Sequence, residues 1–211
     1  MGGASFRGGL RFVDGRVNYF EVFGLPRRLA VDGDALQRRF YELSRQHHPD
    51  FHHGAAPADQ AAALDASARL NAAYRTLRDP IARIEYLVRL EEGRETREGA
   101  AVKPKAPPDL LAEMFEIQES LEEARSGTLD DTTRATLTGQ RDALRMRMTE
   151  AERRVTGPLS QAWDAAAPGE RAAALSALKD ALATRAYLRT VIDDLTAALG
   201  EEETHVAHRR D

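Results

Sequence analysis

Residues 36–50 read LQRRFYELSRQHHPD, and the fold turns on how they are divided. Leu36, Phe40, Leu43 and His47 recur at spacings of four, three and four. At about 100° per residue they fall within about 50° of one common direction. Arg38 and Arg45 fall almost opposite. The stretch is therefore an amphipathic helix with an apolar inner stripe and guanidinium groups outside. Asp34, with Gln37 three residues on, supplies a capping box at its start. Pro49 ends it, because a proline disfavours α geometry in the residue before it. Residues 49–58 (PDFHHGAAPA) hold two prolines and a glycine and read as a loop. Beyond it Ala63, Ser67, Leu70, Tyr74 and Leu77 return at helical spacing, so two helices form a hairpin with His48-Pro49-Asp50 at its tip.

Upstream, NYFEVF (18–23) is a short aromatic helix stopped by Gly24-Leu25-Pro26, and residues 1–16, with five glycines, read as a loose tail. Downstream, Asp79-Pro80 opens a fourth helix, with Asp as N-cap and Pro as first helical residue. That helix carries Ile84, Leu87 and Leu90 inward and stops at Gly93. Residues 93–108 (GRETREGAAVKPKAPP) are polar and hold three prolines, which makes them a linker.

Three long helical patterns follow. The first runs from Asp109 to Arg125. The second runs from Asp131 to Val155, with Leu137, Leu144, Met148, Ala151 and Val155 on one face. Gly157-Pro158 should break or kink it before Leu159 and Trp163, and a second break falls at Pro168-Gly169. The third runs from Glu170 to Leu199, with Leu178, Leu182, Leu188, Ile192, Leu195 and Leu199 inward. Short connections favour antiparallel neighbours. The expected fold is all-α: a tail (1–16), a helical-hairpin domain (17–92), a linker (93–108), an elongated antiparallel three-helix bundle (109–199) and a charged tail (200–211).

Composition narrows the function. With 30 Lys and Arg against 34 Asp and Glu, the net charge of −4 gives no global attraction to nucleic acid or anionic membrane. The absence of cysteine excludes disulfides, thiolate metal sites and cysteine nucleophiles. No apolar run is long enough to span a bilayer, and the first sixteen residues lack the apolar core of a secretory signal. The expectation is a cytoplasmic protein. His47, His48, His52 and His53 are residue types that ligate zinc or nickel. No two of them share the i, i+4 face of a rigid helix, however, and Pro49 splits the set. No metal or other cofactor is expected, and nothing supplies the orienting pair or phosphate cradle of an enzyme.

From Asp109 to Asp130 seven acids meet one base, Arg125. Leu110, Met114, Ile117 and Leu121 share one direction and suit a bundle core. Leu111 and Phe115 point about 100° away, bordered by Glu116, Glu119 and Glu123. Two readings fit this second stripe: a core sector wide enough to bury both, or an apolar docking surface rimmed by charge. Arg38 and Arg45 likewise fit either an ordinary solvated face or one that meets carboxylates on a partner.

These residues resemble the J-domain family of co-chaperones, and most of all its HscB branch. The matching stretches are NYFEVFGLP (18–26), LQRRFYELSRQHHPDF (36–51), ARLNAAYRTLRDPIARIEYLVRL (68–90) and AWDAA (162–166). The resemblance implies that residues 17–92 are a J-domain that acts on another protein's ATPase and is not itself an enzyme. It implies that His48, Pro49 and Asp50, with Arg38 and Arg45, dock on an HscA/DnaK-class chaperone and accelerate its ATP hydrolysis. It further implies that the acidic helix binds the iron–sulfur scaffold IscU through Leu111, Ala112, Phe115, Glu116, Glu119 and Glu123, with Tyr187 completing the surface. Phe51 departs from the lysine often found after the tripeptide, and Ala112 is smaller than the methionine common at its position. Lacking cysteine, the chain has no CxxC zinc module of the kind some members carry, so it resembles the bacterial type. The alternative within the family is a J-protein whose bundle holds a different client or dimerises.

Overall fold

The computed structural model describes residues 18–46, 56–93, 110–126 and 130–200, and all regular structure among them is helical. The expected tails, the linker and the hairpin tip lie wholly or largely outside the described residues. The chain divides into two compact units, Met1–Thr96 with Ser160–Ala174, and Arg97–Leu159 with Leu175–Asp211.

In the first unit, α1 (Tyr19–Val22) is capped by Asn18, whose Oδ1 accepts the Phe20 N–H at 3.0 Å. Gly24 ends it at a φ of 67°, a left-handed turn that favours glycine. The short helix is fastened to α4 (Pro80–Glu91) by two rings. Tyr19 stacks on Tyr86 at 4.5 Å, and the Tyr19 N–H donates to the Tyr86 hydroxyl at 2.9 Å. The hairpin consists of α2 (Gly33–Gln46) and α3 (Pro57–Arg78). Leu36 is buried, and Phe40 lies flat on Tyr74 with ring centroids 4.1 Å apart. With Leu70, Ala73, Leu77, Ile84 and Leu87 these residues close the core of the unit. Asp79 caps α4 as the Asp-Pro pair foretells, accepting the Ala82 N–H at 2.7 Å.

The cap of α2 differs from the expectation. Asp32, not Asp34, accepts the N–H groups of Asp34 and Ala35, each at 3.0 Å. Starting the helix two residues earlier puts Gly33 in the first helical place and Asp34 in the first turn, where its charge complements the helix dipole.

In the second unit, α5 (Leu111–Ser126) and α6 (Asp131–Arg154) are followed, after residue 174, by the long body of α8 (Arg171–Ala198). Ser120 accepts from Gln140 at 3.4 Å and Glu113 pairs with Arg147, which makes α5 and α6 antiparallel. Glu152 pairs with Arg185 at 2.9 Å and Arg134 donates to the Leu199 carbonyl at 3.2 Å, so α6 and α8 are antiparallel too. Leu110, Ile117, Leu121, Leu137, Leu144, Leu188, Val191, Ile192, Leu195 and Leu199 form one buried cluster between the three helices. Asp130 caps α6 through the Thr133 N–H at 2.7 Å, and that bond holds its carboxyl below the usual carboxylate range.

Gly157-Pro158 does not end the helical path. Residues Val155–Leu159 form a π-turn that runs directly into α7 (Ser160–Ala165). The wider i→i+5 turn accommodates a proline that has no N–H to give and whose ring would clash with the carbonyl four residues back in α geometry.

Residues 160–174, expected within the bundle domain, belong instead to the first unit. The reason is local and polar. Asp164 straddles the loop before α2: Oδ1 accepts the Leu29 N–H and Oδ2 the Ala30 N–H, both at 2.7 Å, while its own carbonyl takes Arg28 at 3.3 Å. Trp163 beside it is 3 % exposed, with the Arg171 guanidinium 5.5 Å from its ring centre. Replacing Asp164 with Ala leaves the two amides without that acceptor. A loss of about 1–2 kcal/mol in denaturant titration is expected, together with faster hydrogen exchange at Leu29 and Ala30.

Tyr86 gives a second test. Burial, foremost, pushes its phenol above the ordinary 10.0. The native state therefore holds that proton more tightly than the unfolded chain does. The resulting stabilisation is complete below pH 10.0 and is lost as pH rises through the folded value. Tyr86→Phe should cost about 1 kcal/mol at neutral pH, by loss of the Tyr19 bond, yet decline less steeply than the parent in alkaline denaturation curves.

Candidate functional site

Two surfaces carry the residues singled out in the sequence. On α2, burying Leu36 and half-burying Phe40 and Leu43 leaves Arg38 and Arg45 exposed on the far side, as the periodicity requires. Arg39 is drawn into a pair with Glu42 at 2.9 Å. Among the described residues neither Arg38 nor Arg45 meets a carboxylate; Arg45 instead donates from Nε to the Tyr41 carbonyl at 3.4 Å. His48, Pro49 and Asp50, and the neighbouring histidines 47, 52 and 53, lie outside the described residues. Tyr41, on the arginine side of the helix and 54 % exposed, was not singled out in the sequence. The same angular arithmetic locates it, five residues and about 140° from Leu36; attention to the apolar stripe alone passes it over.

On α5 the two stripes part company. Ile117 and Leu121 are buried and Met114 packs on the same cluster, whereas Leu111 is 49 % and Phe115 78 % exposed. The wide-core alternative falls: the three-helix core does not reach the second stripe. Glu116, Glu119 and Glu123 are exposed on the same helix, to which Ala112 also belongs. Glu113 is held by Arg147 on α6. Tyr187 lies on α8, half-buried against the core cluster, and burial pushes its phenol up. Followed through, the α5–α6 and α6–α8 registers bring the turn of α8 that carries Tyr187 level with Leu111 to Phe115.

The chemistry open to these surfaces is recognition. One side of α2 offers two guanidinium forks about two turns apart around an aromatic ring; one side of α5 offers an aliphatic and an aromatic side chain among carboxylates. Among the described residues no group of three or more His, Cys, Asp or Glu is placed to hold a metal ion, and no helix is long and apolar enough to cross a membrane.

Comparison with known proteins bears on the first unit and on the fold. The family model of the DnaJ domain matches residues 18–86. The chaperone HscB from Vibrio cholerae is 29 % identical, over 84 % of this chain and 99 % of that one, with a TM-score of 0.47. The human co-chaperone protein HscB is 23 % identical, over 88 % of this chain and 83 % of its own, with a TM-score of 0.57. Residues 18–86 thus match the DnaJ domain, and the chain shares the fold of the human co-chaperone protein HscB.

Proposed function

We propose that this protein is a co-chaperone with two protein partners and no chemistry of its own. The J-domain stimulates the ATPase of an HscA/DnaK-class chaperone through Arg38, Arg45 and the tripeptide His48-Pro49-Asp50. The bundle binds an IscU-type iron–sulfur scaffold through Leu111, Ala112, Phe115, Glu116, Glu119, Glu123 and Tyr187, and so delivers it for cluster assembly and transfer. The observation that carries this reading is the exposure of Leu111 and Phe115 on a helix whose other apolar stripe is buried, in a chain that also bears a J-domain.

Each surface suits its role. Arginine forks bind carboxylates bidentately, and on α2 Arg38 and Arg45 meet none among the described residues. By residue type, Pro49 restricts its own φ and Asp50 is a charge-assisted acceptor for the chaperone. On α5 an apolar centre with a charged rim has the anatomy of a protein interface. Joining both in one chain raises the effective concentration of scaffold at the chaperone without any new contact.

Asp50→Asn should abolish stimulation of the chaperone's steady-state ATPase while leaving scaffold affinity intact. A variant that stimulates like the parent would remove the J-domain from this mechanism. Changing Leu111 and Phe115 together to Ala should weaken scaffold binding by about 1–3 kcal/mol in titration calorimetry. Because both side chains are exposed, the same change should move folding stability by no more than about 0.5 kcal/mol, whereas Ile117→Ala should cost about 2–5 kcal/mol. Undiminished scaffold binding by the double variant would assign the bundle to a different client or to dimerisation.

A further inference from the structure

Packing accounts for the orientation of every large apolar residue on α2 except one. Tyr41 turns more than half of its surface to solvent, three residues after Arg38 and four before Arg45, so the ring lies between them on one helix face. Its position is set by the helix itself. Gln37 donates to the Tyr41 hydroxyl at 3.3 Å, and the ring leans on Phe40 at 5.7 Å, which is itself stacked on Tyr74. The Arg45 Nε bond to the Tyr41 carbonyl draws that guanidinium back along the helix toward the ring.

We infer that Tyr41 is the aromatic anchor of this face, seated in an apolar notch bordered by carboxylates on the chaperone's ATPase domain. The inference rests on the function proposed above and adds to it the residue that holds the complex together. Arginines without carboxylates of their own select a carboxylate-bearing surface and speed encounter, whereas an aromatic ring at the centre of such a patch excludes water and slows release. A side chain with two torsions, steadied at both ends by its own helix, loses little freedom on docking. The anchor therefore sets affinity and not the maximal rate at which the bound chaperone hydrolyses ATP.

The test is a titration of the full-length chain into the ATPase assay of an HscA/DnaK-class chaperone, comparing the parent, Tyr41→Ala, Tyr41→Gln, Tyr41→Phe and Asp50→Asn. Tyr41→Ala should raise the half-maximal concentration about tenfold and leave the maximal rate in place. Tyr41→Gln, which keeps a good helix former at the site, should behave alike, and Tyr41→Phe should stay within about twofold of the parent, since only a weak hydroxyl bond is lost. The dependence of the half-maximal concentration on salt should be the same in parent and Ala variant, because the arginines are untouched. An unchanged half-maximal concentration in both the Ala and Gln variants overturns the anchor while leaving the proposed function standing, as does a fall in maximal rate alone. A parent protein that gives no stimulation overturns the function, and the anchor with it. Sedimentation showing a dimer of the parent that Tyr41→Ala dissociates gives the ring to a second copy of this chain and overturns its assignment to the chaperone.

Discussion

The stack of Phe40 on Tyr74 decides which way α2 faces, and most of what the first unit can do follows from that choice. A helix of fourteen residues that buries only Leu36 outright is held less by depth of burial than by the rotational setting of its partly covered residues. Two flat rings in van der Waals contact supply that setting, because sliding or turning either helix would break the overlap. Once Phe40 is fixed inward, Arg38 and Arg45 have only solvent before them, and the carboxylate of Glu42 is spent on Arg39. The charge on the outer face is thus a consequence of the aromatic contact on the inner one.

The bundle obeys the same logic with a different outcome. Three helices of unequal length share one narrow buried seam, and α5 contributes to it a single row ending in Ile117 and Leu121. A wider seam would have swallowed Leu111 and Phe115. The neighbours that could cover them are instead tied elsewhere: Arg147 holds Glu113 on one flank, and Tyr187 is pressed into the core cluster on α8. The apolar surplus of α5 is therefore fixed by the positions of its neighbours, as the arginines of α2 are.

Much of this was legible in the sequence, for reasons that differ between elements. Helix periodicity located Leu36, Leu70, Leu77, Ile117, Leu144, Leu188 and Leu195 in the core, because a helix converts spacing directly into direction. The Asp-Pro opening of α4 was equally readable, since both residues favour that one position. The cap of α2 was not: Asp32 and Asp34 flank a glycine, either can accept amide protons, and only the tertiary course of the loop before them chooses. Nor could the sequence decide between covered and uncovered for Leu111 and Phe115, because that depends on the crossing of α6 and α8 rather than on α5 itself. The membership of residues 160–174 was hidden for a third reason: one carboxylate reaching amides more than a hundred positions earlier leaves no periodic trace.

That last contact bears on biosynthesis. A chain emerging from the ribosome exposes its first 96 residues long before Trp163 and Asp164 exist. Until they arrive, the amides of Leu29 and Ala30 have only water as acceptor. The amino-terminal half can gather its helices early, but it reaches its finished form only when translation has passed residue 174. An interleaved order of this kind makes the nascent protein dependent on the completeness of its own message: a truncated product would retain the hairpin and lack the clasp.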